Sequence, residues 1–216
     1  MFRFLKIESF KLFYKLKSWL GPMLIMILVL TAFPLSIDIS QFDLEKFYFS
    51  IIVVSLLMTS FLATEGMFEE DFEDGSLEQE FLVEQDFYKI VLSKIFVYVC
   101  FIGVPIAFIG AIFSFANGVS IGSFMNVFFL LSLSNLLLFN LFAFGNALSI
   151  NKGAMLGVLT TLPLALPVII LLGTGIRSIQ YEDGFLEISS LMIGLGFLIS
   201  AIMPLIISTA LKTHID

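Results

Sequence analysis

The residues best placed to do chemistry in this chain are acids. Residues 65–89 read EGMFEEDFEDGSLEQEFLVEQDFYK, and ten of the chain's 18 Asp and Glu residues lie there, with Lys89 as the only base. Carboxylates at that density can hold a cation or dock a basic partner. The calcium-loop spacing D-x-[DN]-x-[DN]-G is absent, which argues against a metal. An anionic segment also opposes the potential of an anionic inner leaflet, so membrane attachment does not account for it. A protein partner with a basic or polar cleft does, and the plain alternative is a solvated loop that helps hold topology. The segment carries its own folding signals. Gly75 breaks a helix, and Ser76 with Gln79 three residues later forms a capping box. Glu78 falls in the first turn, where the helix dipole favours an acid. Leu77, Phe81 and Leu82 supply apolar contacts. Two short helices meeting at Asp74–Ser76 are expected, just under a membrane.

Other chemistry finds less support. The chain has one cysteine, Cys100, in an apolar run, and one histidine, His214, in its tail. An internal disulfide, a zinc site and a Cys/His dyad are therefore not expected. No G-x-x-x-x-G-K-[ST] loop is present, so any nucleotide chemistry must come from another subunit. A bis-His haem pocket is impossible with one histidine, and Trp19 is the only tryptophan. The chain is expected to bind no cofactor or metal directly and to have no catalytic residue. Asp38 and Glu187 read as interface anchors at span ends. No acid occupies a span centre, which argues against a proton-coupled carrier. Pro163 and Pro167, four apart, should kink one helix. Asn135, Asn140, Asn146 and Asn151 read as hydrogen-bonding glue between helices. Gly103, Gly110, Gly173, Gly194 and Gly196 read as close-packing positions.

The elements that must position these residues follow from composition. Of 216 residues, 59% are apolar and only 13% charged, with mean hydropathy +1.05 and net charge −7. A soluble domain is about 25% charged, and nucleic-acid binding asks for a basic balance. Both classes are excluded in favour of an integral membrane protein. Spans need about 20 apolar residues. They are expected at Trp19–Ile37, Phe47–Thr64, near 91–115, near 124–149, within Gly153–Ile176 and within Ile188–Leu211, with Ala116–Ser123 as a turn. The runs are continuously apolar, which means six helices and not a barrel. With the N-terminus cytoplasmic, Arg3, Lys6, Lys11, Lys15, Lys17, Lys89, Lys94, Lys152 and Lys212 fall inside and only Lys46 and Arg177 outside. Both termini should then be cytoplasmic. Residues 1–18 read as an amphipathic helix in the interface. Phe2, Leu5, Ser9, Leu12, Phe13, Leu16 and Trp19 share an uncharged arc of about 120°, and the lysines point to lipid headgroups. One permease domain spans 1–216.

At the acidic loop the sequence also becomes recognisable. Met67–Gln79, MFEEDFEDGSLEQ, closely resembles the signature of the CcmB family, the membrane subunit of the ABC system for cytochrome c maturation. Glu70, Asp71, Asp74, Gly75, Ser76, Leu77, Glu78 and Gln79 match its pattern. Phe33–Ile37 (FPLSI) is similar to the family's end of the first span, and Leu162–Leu171 (LPLALPVIIL) to its two-proline fifth span. Glu80–Lys89 departs from it, with more acids and no proline. The resemblance implies an all-α permease bundle of ABC-2 type. It implies pairing with the ATPase CcmA as two of each, so a homodimer within the complex, and work with CcmC, CcmD and the haem chaperone CcmE in a bacterial inner membrane. A mitochondrial inner membrane is the alternative setting. ATP would bind the partner. Haem would be the cargo, or hydrolysis would release haem-loaded CcmE. Glu70, Asp71, Glu73, Asp74, Gly75, Ser76, Leu77, Glu78 and Gln79 would form the coupling element that touches the ATPase, and the Pro163/Pro167 kink would bend. The readings that compete are an ABC permease for another amphipathic or lipid cargo, and a scaffold that recruits a partner without transport.

Overall fold

Long apolar sequences leave a backbone in lipid no choice but to satisfy its hydrogen bonds within each segment, and every described element is helical. The computed structural model of the chain describes residues 2–36, 44–83, 87–150, 152–181 and 183–215. In chain order the helices are α1 (Phe2–Tyr14), α2 (Leu16–Ser36), α3 (Leu44–Thr64), α4 (Glu69–Glu73), α5 (Ser76–Val83), α6 (Phe87–Tyr98), α7 (Val104–Ala116), α8 (Ile121–Ser149), α9 (Ala154–Tyr181) and α10 (Phe185–Ile215). Six helical stretches are long and apolar enough to cross a membrane: Ser18–Ser36, Tyr48–Glu73, Phe87–Ala116, Ile121–Ser149, Met155–Tyr181 and Phe185–His214. They coincide with the six expected runs, most of them extended. The expected break at Ala116–Ser123 narrows to four residues. Gly118 turns the chain with φ +97°, and Ser120 caps α8 by accepting from the Ser123 N–H at 3.3 Å.

α8 is the axis of the bundle. It packs on α9, α10, α7 and α3. Leu130, Leu131, Leu137, Phe139, Ala143 and Ala147 are all buried on it. A helix apolar all round its circumference belongs in the middle. Its asparagines do link helices. Asn135 accepts from the Ser60 hydroxyl of α3 at 2.8 Å and donates to the Gly103 carbonyl at 2.6 Å. Asn140 reaches Ser200 of α10 at 3.4 Å, and Asn146 accepts the Phe68 N–H at 2.9 Å. Asn151, Ile37 and Asp38 lie outside the described residues. The third span carries a π-helical turn, Val99–Gly103, between α6 and α7. Pro105, just inside α7, has no N–H to give the carbonyls of the preceding turn, which is the wider π turn; the Gly103 carbonyl at its end also accepts from Asn135.

Several local expectations change. The N-terminal segment is two helices that meet at Lys15, not one. On α1 the lysines do not all turn outward as expected: Lys11 and Lys15 meet acids of the segment after α3, and Glu8 is 3% exposed, while Phe13 stays 62% exposed. α1 packs on α6, while its Lys11 and Lys15 find their acids on α4 and α5. α9 stays helical on both sides of Pro163 and Pro167, which lie on its exposed side, as a proline-kinked helix also does. Gly103, Gly110 and Gly196 do sit against neighbours, but Gly173 and Gly194 face open space. Among the glycines, the closest approach to another backbone is elsewhere. At Gly157, an added Cβ would lie 2.6 Å from the Gly145 carbonyl oxygen, where α8 and α9 cross backbone to backbone.

Candidate functional site

The acidic segment folds into a corner built on the end of the second span. α3 ends at Thr64. Gly66, with φ +71°, turns the chain, and Met67 and Phe68 drop into the core with 2% and 1% of their surface left exposed. The Phe68 N–H to Asn146 bond fixes this entry to the end of α8. α4 is a short helix, and α5 starts three residues after it, so two short helices do meet at Asp74–Ser76. Gly75 makes the bend with φ +73°, a conformation that costs a side-chain-bearing residue about 1–2 kcal/mol. The cap differs from the expected box. The bend brings the Asp74 carboxylate to the Ser76 N–H at 2.8 Å, and the Ser76 hydroxyl donates to the Asp71 carbonyl at 3.3 Å. Hydrogen bonding from the Ser76 side chain, and then from its N–H, holds the Asp74 carboxyl below the usual aspartate range.

What holds the corner is ionic and mostly hidden. Asp71, 3% exposed, is ion-paired with Lys94 of α6, itself 5% exposed. Lys94 Nζ also lies 5.3 Å from the Phe68 ring centroid. Lys11 of α1 stands 3.6 Å from Asp71 and 3.6 Å from Glu8, and donates to Glu80 at 3.1 Å. Lys15 pairs with Glu70 at the rim. Leu12, Met67 and Tyr98 close round these charges. α5 is seated by Leu77, 2% exposed, and by Phe81, which meets Phe87 edge-to-face at 5.7 Å and lies under Lys212 of α10 at 5.3 Å. The first helix, the corner and the end of the last helix therefore share one end of the bundle.

The electrostatics sort these groups. Burial opposes the charge on Lys11, but Glu8, Asp71 and Glu80 together outweigh it and push its pKa above the ordinary lysine value of 10.5. Glu80 must share that one cation with two other acids, so burial prevails and its pKa is raised above 4.5. The sign follows for each. Lys11 adds stability at all pH values below 10.5, lost only as pH rises through its raised pKa. The raised pKa of Glu80 means its ionised form costs stability at neutral pH. Glu80→Gln keeps an acceptor for Lys11 and removes the buried charge. It is expected to leave the melting temperature at pH 7 at or slightly above that of the parent, with a flatter change between pH 7 and 4.5 in a thermal scan of the detergent-purified protein.

The nine residues expected at this site divide by role. Glu73, Asp74, Glu78 and Gln79 are exposed and form the outward ridge, and Glu70 is exposed but takes Lys15. Gly75 and Ser76 shape the bend between the two short helices. Asp71 and Leu77 point inward and hold the corner, so neither offers surface to a partner. Pro163 and Pro167 lie on α9 and do not join this group. The residues missed from the sequence are Glu8, Lys11, Lys15, Lys94 and Glu80 as a network. One signal was there: Lys94 is a lone cation starting an apolar stretch, a few residues after a segment with ten acids.

Comparison with known proteins agrees in extent with this architecture. A family model described as "CcmB protein" matches residues 7–214. A relative in Pseudomonas aeruginosa named "Heme exporter protein B" is 30% identical over 170 residues, 78% of this chain and 76% of its own. One of the same name in Haemophilus influenzae is 28% identical over 203 residues, 91% of this chain and 90% of its own. The Escherichia coli protein of that name is 36% identical over 86 residues, 40% of this chain and 39% of its own.

Proposed function

The chain belongs to the CcmB family, and from that premise we propose that it is the permease subunit of an ABC complex for cytochrome c maturation. The partner ATPase, CcmA, binds the ridge formed by Glu73, Asp74, Glu78 and Gln79, with two copies of each subunit in the complex. Movement of that partner on ATP turnover pulls on the corner. The Asp71–Lys94 pair passes the pull to the third span, and the Lys11 and Lys15 contacts pass it to α1. The work done is haem export, or release of haem-loaded CcmE from CcmC and CcmD. Both termini and the corner face the cytoplasm of a bacterial inner membrane, as the lysine and arginine distribution asks.

The observation that carries this reading is the division of the acids. Some are buried and paired, others exposed on a rigid bend. A loop whose acids served only solubility would need no ion pair sealed into the membrane end of α6. Coupling requires the partner to bind two conformations unequally, and a rigid bend fastened to two helices can transmit such a difference. The test replaces Glu73, Asp74, Glu78 and Gln79 together by alanine. Membrane insertion and melting temperature should stay near the parent. Co-purification of the ATPase and cytochrome c assembly should fall at least about tenfold, the loss expected from several charge-assisted bonds at about 1.5–3 kcal/mol each. Normal assembly in that variant would refute the coupling role.

A further inference from the structure

At the end of the bundle opposite the acidic corner, α3 and α9 part and leave a groove with a cavity volume of about 360 Å³. Val53, Val54, Ile169 and Ile176 form its apolar walls, and Arg177 and Gln180 stand towards its outer end. Gly173 lies between them with open space where a side chain would be. Next to it, a second hollow of about 270 Å³ shares Phe49 and Gln180 and is bounded by the polar turn Asn117–Ser120. The two together make a slot that is apolar along the bundle and polar at its end. Arg177 is exposed and has no hydrogen bond or ion pair among the described residues, although Asp183 and Glu187 lie within the next turns of chain.

A guanidinium that no carboxylate among the described residues pairs with, at the head of an apolar slot, asks for an anion carried on an apolar body. The slot opens between two spans, where membrane lipid is the abundant molecule of that description. Arg is well suited to a phosphate because its planar fork makes two parallel bonds. A metallated macrocycle fits less well, since no histidine, cysteine or methionine lines the groove to ligate it. We infer that this groove is a phospholipid site. The lipid phosphate sits on Arg177 beside Gln180, and one acyl chain lies between α3 and α9 over Gly173. This site stands apart from the coupling role of the acidic corner.

The full chain, purified in mild detergent and given phosphatidylglycerol, tests this by native mass spectrometry. One lipid per chain should survive. Arg177→Gln should cut retention about tenfold, as expected for loss of hydrogen bonds to a charged group. Gly173→Phe, which fills the slot, should do the same, and Arg177→Lys should keep part of it. Lys152→Gln removes an exposed cation at the other end of the bundle and should change nothing. Equal melting temperatures show that each variant is folded. Equal retention by the parent and Arg177→Gln overturns the site. So does retention of added hemin in place of the lipid when that retention is lost with Arg177→Gln. A lipid-free dimer that Gly173→Phe splits assigns the groove to a second copy and overturns it too.

Discussion

Lys94→Met should be the most damaging single change at the corner end of the bundle. It removes the cation against which Asp71 is buried and leaves that carboxylate 3% exposed, with only Lys11 at 3.6 Å nearby. Removing one partner of a buried pair costs about 3–5 kcal/mol, whereas replacing both by apolar residues is often near neutral. The double variant Asp71→Leu/Lys94→Met should therefore recover most of the lost stability. Thermal unfolding in detergent reads both values. The double variant separates holding the fold from positioning the corner: it should be stable yet remain poor in ATP-linked cytochrome c assembly. A single Lys94→Met variant within about 0.5 kcal/mol of the parent would mean that the pair is too well hydrated to matter.

The second large effect belongs to Gly157→Ala. The new methyl would lie 2.6 Å from the Gly145 carbonyl oxygen, on a backbone that cannot swing aside as a side chain does. Gly145 is no freer to yield, because a Cβ there would lie 2.9 Å from the Gly157 carbonyl oxygen. Overpacking costs about 1–3 kcal/mol where neighbours can adjust, and the upper end applies to a backbone contact. α8 and α9 share the most extensive packing in the bundle, so the loss should appear as a lower melting temperature and reduced yield. Gly173→Ala, in the same span but facing open space, is the control and should be neutral. A Gly157→Ala variant as stable as the control would show that the crossing is looser than described.

How much of this was legible in the sequence differs from feature to feature, for physical reasons. The spans were, because the bilayer demands long apolar runs and little else satisfies them. The bend at Asp74–Ser76 was, because Gly75 and the flanking acids act within a few residues. The capping group was assigned to Ser76 and belongs to Asp74. Choosing between two adjacent acceptors depends on which way the left-handed glycine turns the chain. α1 misled most. Its uncharged arc was read as facing the membrane interface with the lysines toward headgroups, but Lys11 and Lys15 pair with acids of α4 and α5, up to 69 positions along the chain. Periodicity reports a helix's own pattern and is silent about what a distant segment brings to it. The same limit hid the Gly145–Gly157 crossing. Small residues are frequent in spans, and only packing shows which of them touch.

The split between sealed and open charges also sets how the protein answers to ionic strength. Exposed charges are screened over about 8–10 Å at ordinary salt, while buried pairs are screened much less. Raising salt therefore weakens whatever rests on Glu73, Asp74 and Glu78, and the rim pair of Lys15 with Glu70 along with it. It leaves Asp71 and Lys94 nearly untouched. If the proposed docking role holds, a high-salt wash should strip a soluble companion from the membrane while the corner keeps its shape. Returning to low salt should restore the same contact without any refolding.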